Sequence, residues 1–231
     1  MNKKLTAILA ATFLFSANFA SAEDEGAAAA PAEINHAESI YFTEPDFYNM
    51  TSTDSLIILP KYPTYQQTTE YTCGPAAALT VLQYYKNNNY DEMQLAAEMK
   101  TSDKVGTNTA NMAKFFEKIG WNVKSSLTSK PIETYSDFKK FVVRNLQRGV
   151  PILVENVEWG GHWRVIIGYD SMNIDSDLDD VLIFVDPYDT SDHKQDGYTI
   201  GNGWRFFSMW YDHSLLPKNQ RNQPFVVTYP K

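Results

Sequence analysis

The chain has 231 residues and a formal net charge of −8, and 43% of its residues are hydrophobic and 14% aromatic. This length allows one domain with a substantial core, and the composition excludes the weakly hydrophobic, highly charged balance that keeps chains disordered. The acidic balance argues against a nucleic acid as a partner, because phosphate binding needs clustered basic residues.

The N-terminus follows the pattern of a secretory signal peptide over residues 1–22. Lys3 and Lys4 precede an apolar run over 5–15, and Ala20-Ser21-Ala22 forms an A-x-A cleavage pattern. The alternative is a membrane anchor, but the apolar run is shorter than the about 20 residues that span a bilayer. We therefore expect cleavage after Ala22, export through the Sec pathway to the periplasm or the medium, and no stable membrane insertion of the mature chain.

Residues 23–58 are predicted to form a flexible leader and an N-terminal arm ahead of a domain over 59–231. The stretch 23–38 is rich in alanine and acidic residues and poor in large apolar ones, which is typical of a mobile segment. A short helix broken at Pro31 is the alternative. Aromatic residues and the run LIIL before Pro60 indicate that the following arm packs on the domain.

The domain begins with helical patterns and continues with strand patterns. A first helix is predicted to begin at Cys73-Gly74-Pro75, because proline suits the first helical turn and apolar residues then recur on one helical face. The other elements predicted before residue 150 are helices over 91–99, 108–119 and 135–148 and a short strand over 121–125. The β-rich runs ILVENVEW, HWRVIIGYD, VLIFV and FVVTY predict the later strands. Helices followed by strands are typical of an α+β domain.

Cys73 is the only cysteine in the chain, so it cannot form an intramolecular disulfide. It lies where the first helix is predicted to begin, and the N–H groups at a helix N-terminus favour an anion such as a thiolate. The same N–H groups can stabilise the oxyanion that forms in acyl transfer. The alternative is a buried cysteine that only fills space in the core. We expect Cys73 to be a nucleophile.

His162 is the candidate base. His36 lies in the leader, and His193 and His213 lie in polar, loop-like segments. His162 instead follows two glycines and precedes the apolar run WRVIIGY, so it is predicted to begin a buried strand. The alternative is a core histidine that donates to a backbone carbonyl.

A carboxylate is needed to orient the imidazole and support its positive charge. Asp186 ends the run VLIFV and precedes Pro187, although Asp before Pro is also common in turns. Asp170 is the rival candidate, but it lies at the far end of the strand that begins at His162. We therefore expect Asp186 to be the third member of a triad.

Three segments in this order resemble the papain-like cysteine peptidases that process the double-glycine leaders of bacteriocins, and their stand-alone relatives: QTTEYTCGPAA, GGHWRVIIGYD and FVDPYD. The resemblance covers residues 59–188 and departs from the family at Thr72, where leader peptidases usually carry Asp. It implies a papain-like α+β fold with the nucleophile helix packed on an antiparallel β-sheet, and a peptide or protein substrate. It also implies that Gln67, six positions before Cys73, donates to the oxyanion.

These residues predict an exported cysteine peptidase-like hydrolase that uses Cys73, His162, Asp186 and Gln67 and needs no cofactor. The thioester formed by the thiol could also pass to an amine, so an acyltransferase or a cell-wall amidase is an alternative. A binding or scaffold module that keeps the fold without turnover is another.

Other segments have two interpretations each. Trp163 and Gly161, beside His162, are candidates for substrate binding, while Trp163 could equally pack in the core. The acidic run 171–180 could bind Ca²⁺, but it lacks the spacing of an EF-hand loop. A solvated hairpin without metal is predicted there. The aromatic segment 197–213 could line a groove or fill a core.

Overall fold

The computed structural model describes residues 39–42, 44–190, 194–210 and 223–231. The predicted signal peptide over 1–22 and the leader residues 23–38, with His36, lie outside the described residues, as do His193 and His213. Among the residues that are described, no helix is long and apolar enough to cross a bilayer.

The described part of the chain folds as helices packed on an antiparallel sheet. The helices are α1 (Cys73–Tyr84), α2 (Glu92–Glu98), α3 (Thr109–Lys118), α4 (Tyr135–Gln147) and α5 (Gly203–Met209). The strands are β1 (Leu56–Ile58), β2 (Asn122–Ser125), β3 (Ile152–Asn156), β4 (His162–Asp170), β5 (Val181–Val185), β6 (Tyr198–Asn202) and β7 (Phe225–Tyr229). The predicted α+β class is confirmed, and α1 to α4 lie where the sequence pattern predicts them.

The strand order is β2-β7-β3-β4-β5-β6, and every neighbouring pair is antiparallel. β1 also pairs with β4, opposite its last residues, while β3 pairs opposite its first residues. β1 and β3 therefore lie end to end along one edge of β4. All nine residues of β4 are buried, so this strand is the centre of the sheet.

Helix α1 packs against β4 and is buried over Cys73 to Leu82. Ala76, Leu79 and Leu82, which the sequence pattern places near one helical face, are buried, and burial also includes the other residues of the helix up to Leu82. The buried helix fixes the position of its first residue, Cys73.

The aromatic segment after residue 197 forms β6 and α5, which the sequence pattern did not assign. Phe206 and Trp210 pack on Phe138 of α4, with ring centroids 5.8 and 5.3 Å away. Trp204 is exposed, with 39% of its surface accessible. Of the aromatic residues described in this segment, Tyr198, Phe206 and Trp210 are buried, which favours the core interpretation.

Residues of the predicted N-terminal arm contact the sheet. The Tyr41 hydroxyl donates to Asp170 Oδ2 at 3.0 Å, and the ring of Phe47 lies 5.7 Å from that of Tyr198. Burial, together with the negative Asp170, raises the pKa of Tyr41, so its hydroxyl remains a donor. The Tyr41 contact holds the arm at the end of β4 remote from His162, whereas Phe47 contacts β6 at Tyr198, which pairs with Val185 just before Asp186.

Candidate active site

Cys73 is the first residue of α1 and is buried, with 7% of its surface exposed. The residue before it, Thr72, makes no side-chain capping bond to the helix. Its hydroxyl instead meets that of Thr69 at 2.8 Å. A capping side chain would use an N–H group of the first turn, and here those groups stay available next to the thiol.

His162 and Asp186 meet where β4 begins and β5 ends. Since the two strands are antiparallel, the start of one neighbours the end of the other. The His162 Nε2 and Asp186 Oδ1 atoms are 2.7 Å apart, and both side chains are buried. The backbone N–H of Tyr188 donates to the same oxygen at 2.9 Å. The histidine is therefore held in one orientation by a carboxylate that is itself fixed.

Cys73 and His162 interact through their side chains, and this interaction affects the charge of the histidine. Burial would lower the pKa of His162, but hydrogen bonds to Asp186 and Cys73, and electrostatic interactions with both, raise it from 6.5 to about 9. Since Asp186 takes Nε2, Nδ1 is the ring nitrogen left for the thiol. A histidine that stays protonated at neutral pH is the partner that a thiolate requires.

Asp186 remains a carboxylate in this setting. Burial would raise its pKa, but its hydrogen bond to His162, the charges of His162 and Arg164, and the Tyr188 N–H lower it. The pair therefore consists of an anion and a cation over the neutral range.

Gln67 lies in the loop before α1 and touches the segment that carries Asp186. Its backbone N–H donates to Pro187 O at 2.9 Å, and its side-chain Nε2 donates to Thr69 O at 2.7 Å. An amide nitrogen has two hydrogens, so one remains for a substrate oxygen. The oxyanion role stays a prediction.

Glu92 of α2 is a buried carboxylate that the sequence analysis missed. Its Oε1 accepts from the backbone N–H of Thr68 at 2.9 Å, and its Oε2 accepts from Tyr65 OH at 3.2 Å. These two donors lie on either side of Gln67 in the chain. Glu92 therefore fixes the loop that carries Gln67, and an acid at the first position of a helix gives no hint of this contact in the sequence.

Arg164 is a second residue that the sequence analysis missed. It lies two positions after His162, so strand alternation puts both side chains on one face of β4, and its Nη1 is 3.7 Å from Asp186 Oδ2. A charged residue inside an otherwise buried apolar strand was the signal that could have revealed it.

The rival carboxylate and the two candidate substrate residues occupy other positions. Asp170 ends β4, accepts from Tyr41, and is far from the histidine that begins the nine-residue strand. Trp163 has 1% of its surface exposed, and its indole N–H donates to Thr107 O at 2.8 Å. This burial favours packing, and substrate contact by Trp163 stays a prediction. Gly161 has φ of 141°, a backbone conformation that favours glycine, and its substrate contact also stays a prediction.

The acidic run 171–180 connects β4 and β5 as the predicted hairpin, with a 3₁₀ turn at Asp177–Asp179. The prediction that it is solvated is wrong for Asp180, which is fully buried. Asp180 Oδ2 accepts from Tyr135 OH at 2.8 Å. The carboxylate thus ties the hairpin to α4.

A buried helix that begins at the single cysteine, packed on an antiparallel sheet that carries a histidine–aspartate pair, defines the papain-like cysteine peptidase fold. The chain belongs to the Peptidase_C39 like family, which matches residues 60–212. This confirms the predicted resemblance to double-glycine leader peptidases at the level of the family.

One solved structure agrees with this fold. The peptidase domain of Streptococcus ComA, a bi-functional ABC transporter involved in a quorum-sensing pathway, is similar at 20% identity with a TM-score of 0.50, over 74% of this chain and 99% of that chain. A double glycine motif protease from an AMS/PCAT transporter, solved with a leader peptide, is similar at 17% identity with a TM-score of 0.47, over 73% of this chain and 91% of that chain. A search of curated proteins finds no match.

Proposed function

We infer that this protein is a cysteine peptidase that cleaves a peptide or amide bond, with Cys73 as nucleophile, His162 as base and acid, and Asp186 as the residue that orients the histidine. The observation that carries this proposal is the 2.7 Å contact between buried His162, at the start of the strand on which the Cys73 helix packs, and Asp186, just after β5. Membership of a peptidase family supports it.

The reaction would proceed in two acyl-transfer steps. The Cys73 thiolate attacks the carbonyl carbon, and Gln67 Nε2 with first-turn N–H groups of α1 stabilises the oxyanion. The C–N bond breaks as protonated His162 gives its proton to the leaving amine, which leaves a thioester on Cys73. Neutral His162 then takes a proton from water, whose oxygen attacks the thioester and releases the acid and the thiol.

The proposal includes export. The pattern of Lys3 and Lys4, the apolar run and Ala20-Ser21-Ala22 supports a signal peptide that is removed after residue 22. The peptidase would then act in the periplasm or outside the cell.

Alkylation of Cys73 by iodoacetamide tests the proposed pair directly. An ordinary thiol, with a pKa near ~8.5, is less than about 1% ionised at pH 6. We expect wild-type protein to be alkylated at pH 6 at least about 10-fold faster than His162→Ala, because the imidazolium stabilises the thiolate. Mass spectrometry after labelling across pH 4 to about 9 gives the rates, and the single cysteine makes the labelled site unambiguous.

Near-ultraviolet circular dichroism confirms that both proteins are folded, and alkylation in denaturant gives the rate of the unprotected thiol. Slow labelling at the same rate in both folded proteins would show that no activated pair exists. In that case a binding or scaffold module on this fold becomes the better interpretation.

Glu92→Ala tests the role of the loop that carries Gln67 independently of the nucleophile Cys73. We expect peptide hydrolysis to fall about 10-fold, because Thr68 and Tyr65 lose their shared acceptor and Gln67 is no longer held in place. Alkylation of Cys73 needs no oxyanion donor and should change less than about 3-fold. Glu98→Ala, at an exposed acid of the same helix, is the matched control and should leave both rates unchanged. Equal losses in hydrolysis and alkylation after Glu92→Ala would contradict this role.

A further inference from the structure

A cavity of about 380 Å³ lies beside Asp186, between the ends of β4 and β5 and the helix α5. Part of its wall is apolar and consists of Phe184, Ile200, Phe206 and Met209. Cavities of this size, apolar with a few polar groups, are typical of sites for small ligands or side chains. Asp186 lines this cavity and also bonds to His162, so the cavity adjoins the proposed catalytic residues.

Arg164 lines this cavity and lacks the partners that a buried cation requires. It has 8% of its surface exposed, and its Nε has no hydrogen-bond partner among the described residues. Its contacts with Glu158 and Asp186, at 3.5 and 3.7 Å, are longer than the about 2.7–2.9 Å of charge-assisted hydrogen bonds. One face of the guanidinium lies on the Phe184 ring at 4.3 Å from its centroid. The Arg164 guanidinium is thus fixed in place, while its N–H groups lack acceptors at hydrogen-bonding distance among the described residues.

Two other buried polar groups of the same lining also lack partners within the described part of the chain. They are Thr199 Oγ1 and Asn156 Oδ1, in residues that are 3% and 2% exposed. Buried polar groups are normally paired. Arg164 Nε and the Thr199 hydroxyl can donate to a bound group, whereas Asn156 Oδ1 is an acceptor and would need a donor from it. Two incompletely paired donors around one cavity indicate a bound group with oxygen atoms that the described residues do not supply.

The charges around the cavity include both signs. Arg205 is exposed at its rim, while Asp186 and Glu158 are the acids in the lining. Asp186 is held by His162 and the Tyr188 N–H, so it cannot turn away. Glu158 is freer, because 38% of its side chain is exposed and its ion pair with Arg164 is long. An incoming carboxylate can therefore replace Glu158 at the guanidinium.

We propose that this cavity is a substrate subsite that binds a carboxylate through Arg164 and an adjoining apolar group against Phe184 and Phe206. Two parallel N–H···O bonds from one guanidinium match the oxygens of a carboxylate, as they match those of a phosphate, and a peptide substrate supplies carboxylates. The carboxylate would be either the C-terminus of the substrate or the side chain of an acidic residue. The proposal rests on the peptidase function inferred above, since it makes the cavity part of substrate recognition.

Binding of small probes tests the subsite without turnover, so a failed hydrolysis assay would not affect the result. The probes are 3-phenylpropionate and its neutral amide, measured by calorimetry on full-length mature protein. We expect the carboxylate to bind at least about 10-fold tighter than the amide, and this preference to disappear in Arg164→Met. Glu158→Gln, at an exposed side chain, should tighten binding of the carboxylate about 3-fold. N-acetylphenylalanine and the α-amide of N-acetylglutamate then distinguish a C-terminal carboxylate from an acidic side chain.

Arg148→Gln is the matched control, because this arginine also lies on an aromatic ring, that of Tyr229, but lines a different cavity. It should leave all probe affinities unchanged. The proposal is overturned if wild-type protein binds acid and amide equally, or if the preference for the acid persists in Arg164→Met. If Arg164→Met does not fold, an unchanged carboxylate affinity in Glu158→Gln overturns it as well.

Discussion

Asp186→Ala is expected to lower kcat/KM for peptide hydrolysis by about 10³–10⁴-fold. The change removes the acceptor that orients His162 and the charge that keeps this buried histidine protonated, and it also leaves Arg164 without one of its two anions. The measurement is steady-state hydrolysis of a fluorogenic peptide selected from a library on the wild-type enzyme.

Asp170→Ala is the control for this prediction, because Asp170 is also a buried carboxylate on the same sheet and also accepts a hydrogen bond. It should change kcat/KM by less than about 3-fold, since it lies at the other end of β4. If Asp170→Ala reduced hydrolysis as strongly as Asp186→Ala, the choice between the two carboxylates would be wrong.

Asp186→Asn tests the negative charge of residue 186 separately from its hydrogen bond to His162. The amide oxygen can still accept from His162, but the negative charge that helps to raise the pKa of His162 to about 9 is lost. In the wild type the imidazolium is present below this pH and disappears as pH rises through it, so activity should fall near pH 9. In Asp186→Asn the pKa of His162 should move back toward 6.5, and the alkaline loss of activity should begin at lower pH. If activity were lost at the same alkaline pH in both proteins, the attribution of this loss to His162 would be wrong.

The same shift affects stability. Because the folded pKa of His162 lies above 6.5, its contribution to folding is complete below about pH 6.5 and is lost as pH rises toward 9. For Asp186, whose folded pKa is lowered, the contribution is present above its ordinary pKa and is lost in acid. The pair therefore stabilises the fold most in the mildly acidic range.

Local sequence patterns were sufficient for the residues that begin or end a regular element. Cys73 begins a helix, His162 begins a strand and Asp186 follows one, so proline, glycine and runs of apolar residues predict their positions. Their meeting follows from the antiparallel pairing of β4 and β5, which a short hairpin between the two runs implies.

Contacts made by tertiary packing could not be predicted in this way. Glu92 reaches Thr68 across 24 positions of sequence, and nothing in the chain around either residue distinguishes a buried acid from a solvated one. Elements β6 and α5 were also missed, since glycines interrupt the periodicity of their aromatic segment at 197, 201 and 203. The buried packing of Phe206 and Trp210 on α4, rather than local propensity, stabilises this region.

Gly74→Ala is expected to destabilise the fold by about 1–3 kcal/mol, although alanine usually stabilises a helix relative to glycine by up to about 1 kcal/mol. A Cβ at this position would lie 2.5 Å from both Cβ and Oγ1 of Thr107, well inside van der Waals contact. Thr107 cannot retreat easily, because its carbonyl accepts from the buried Trp163 indole at 2.8 Å and its hydroxyl meets that of Thr101 at 2.6 Å. The helix start must shift instead, and Cys73 shifts with it.

Thermal unfolding and peptide hydrolysis together check this prediction. We expect Gly74→Ala to lower the melting temperature and to reduce hydrolysis at temperatures where the protein is still folded, since the thiol moves relative to His162. Gly201→Ala is the matched control for thermal unfolding alone, because its new Cβ would make an ordinary 3.4 Å contact with Phe184, whereas Gly201 also lines the proposed subsite and its hydrolysis rate is not compared. In the double variant, Thr107→Gly removes the clashing atoms and should make Gly74→Ala less harmful than it is alone. Additive losses in the double variant would show that the Gly74–Thr107 contact does not set the position of Cys73.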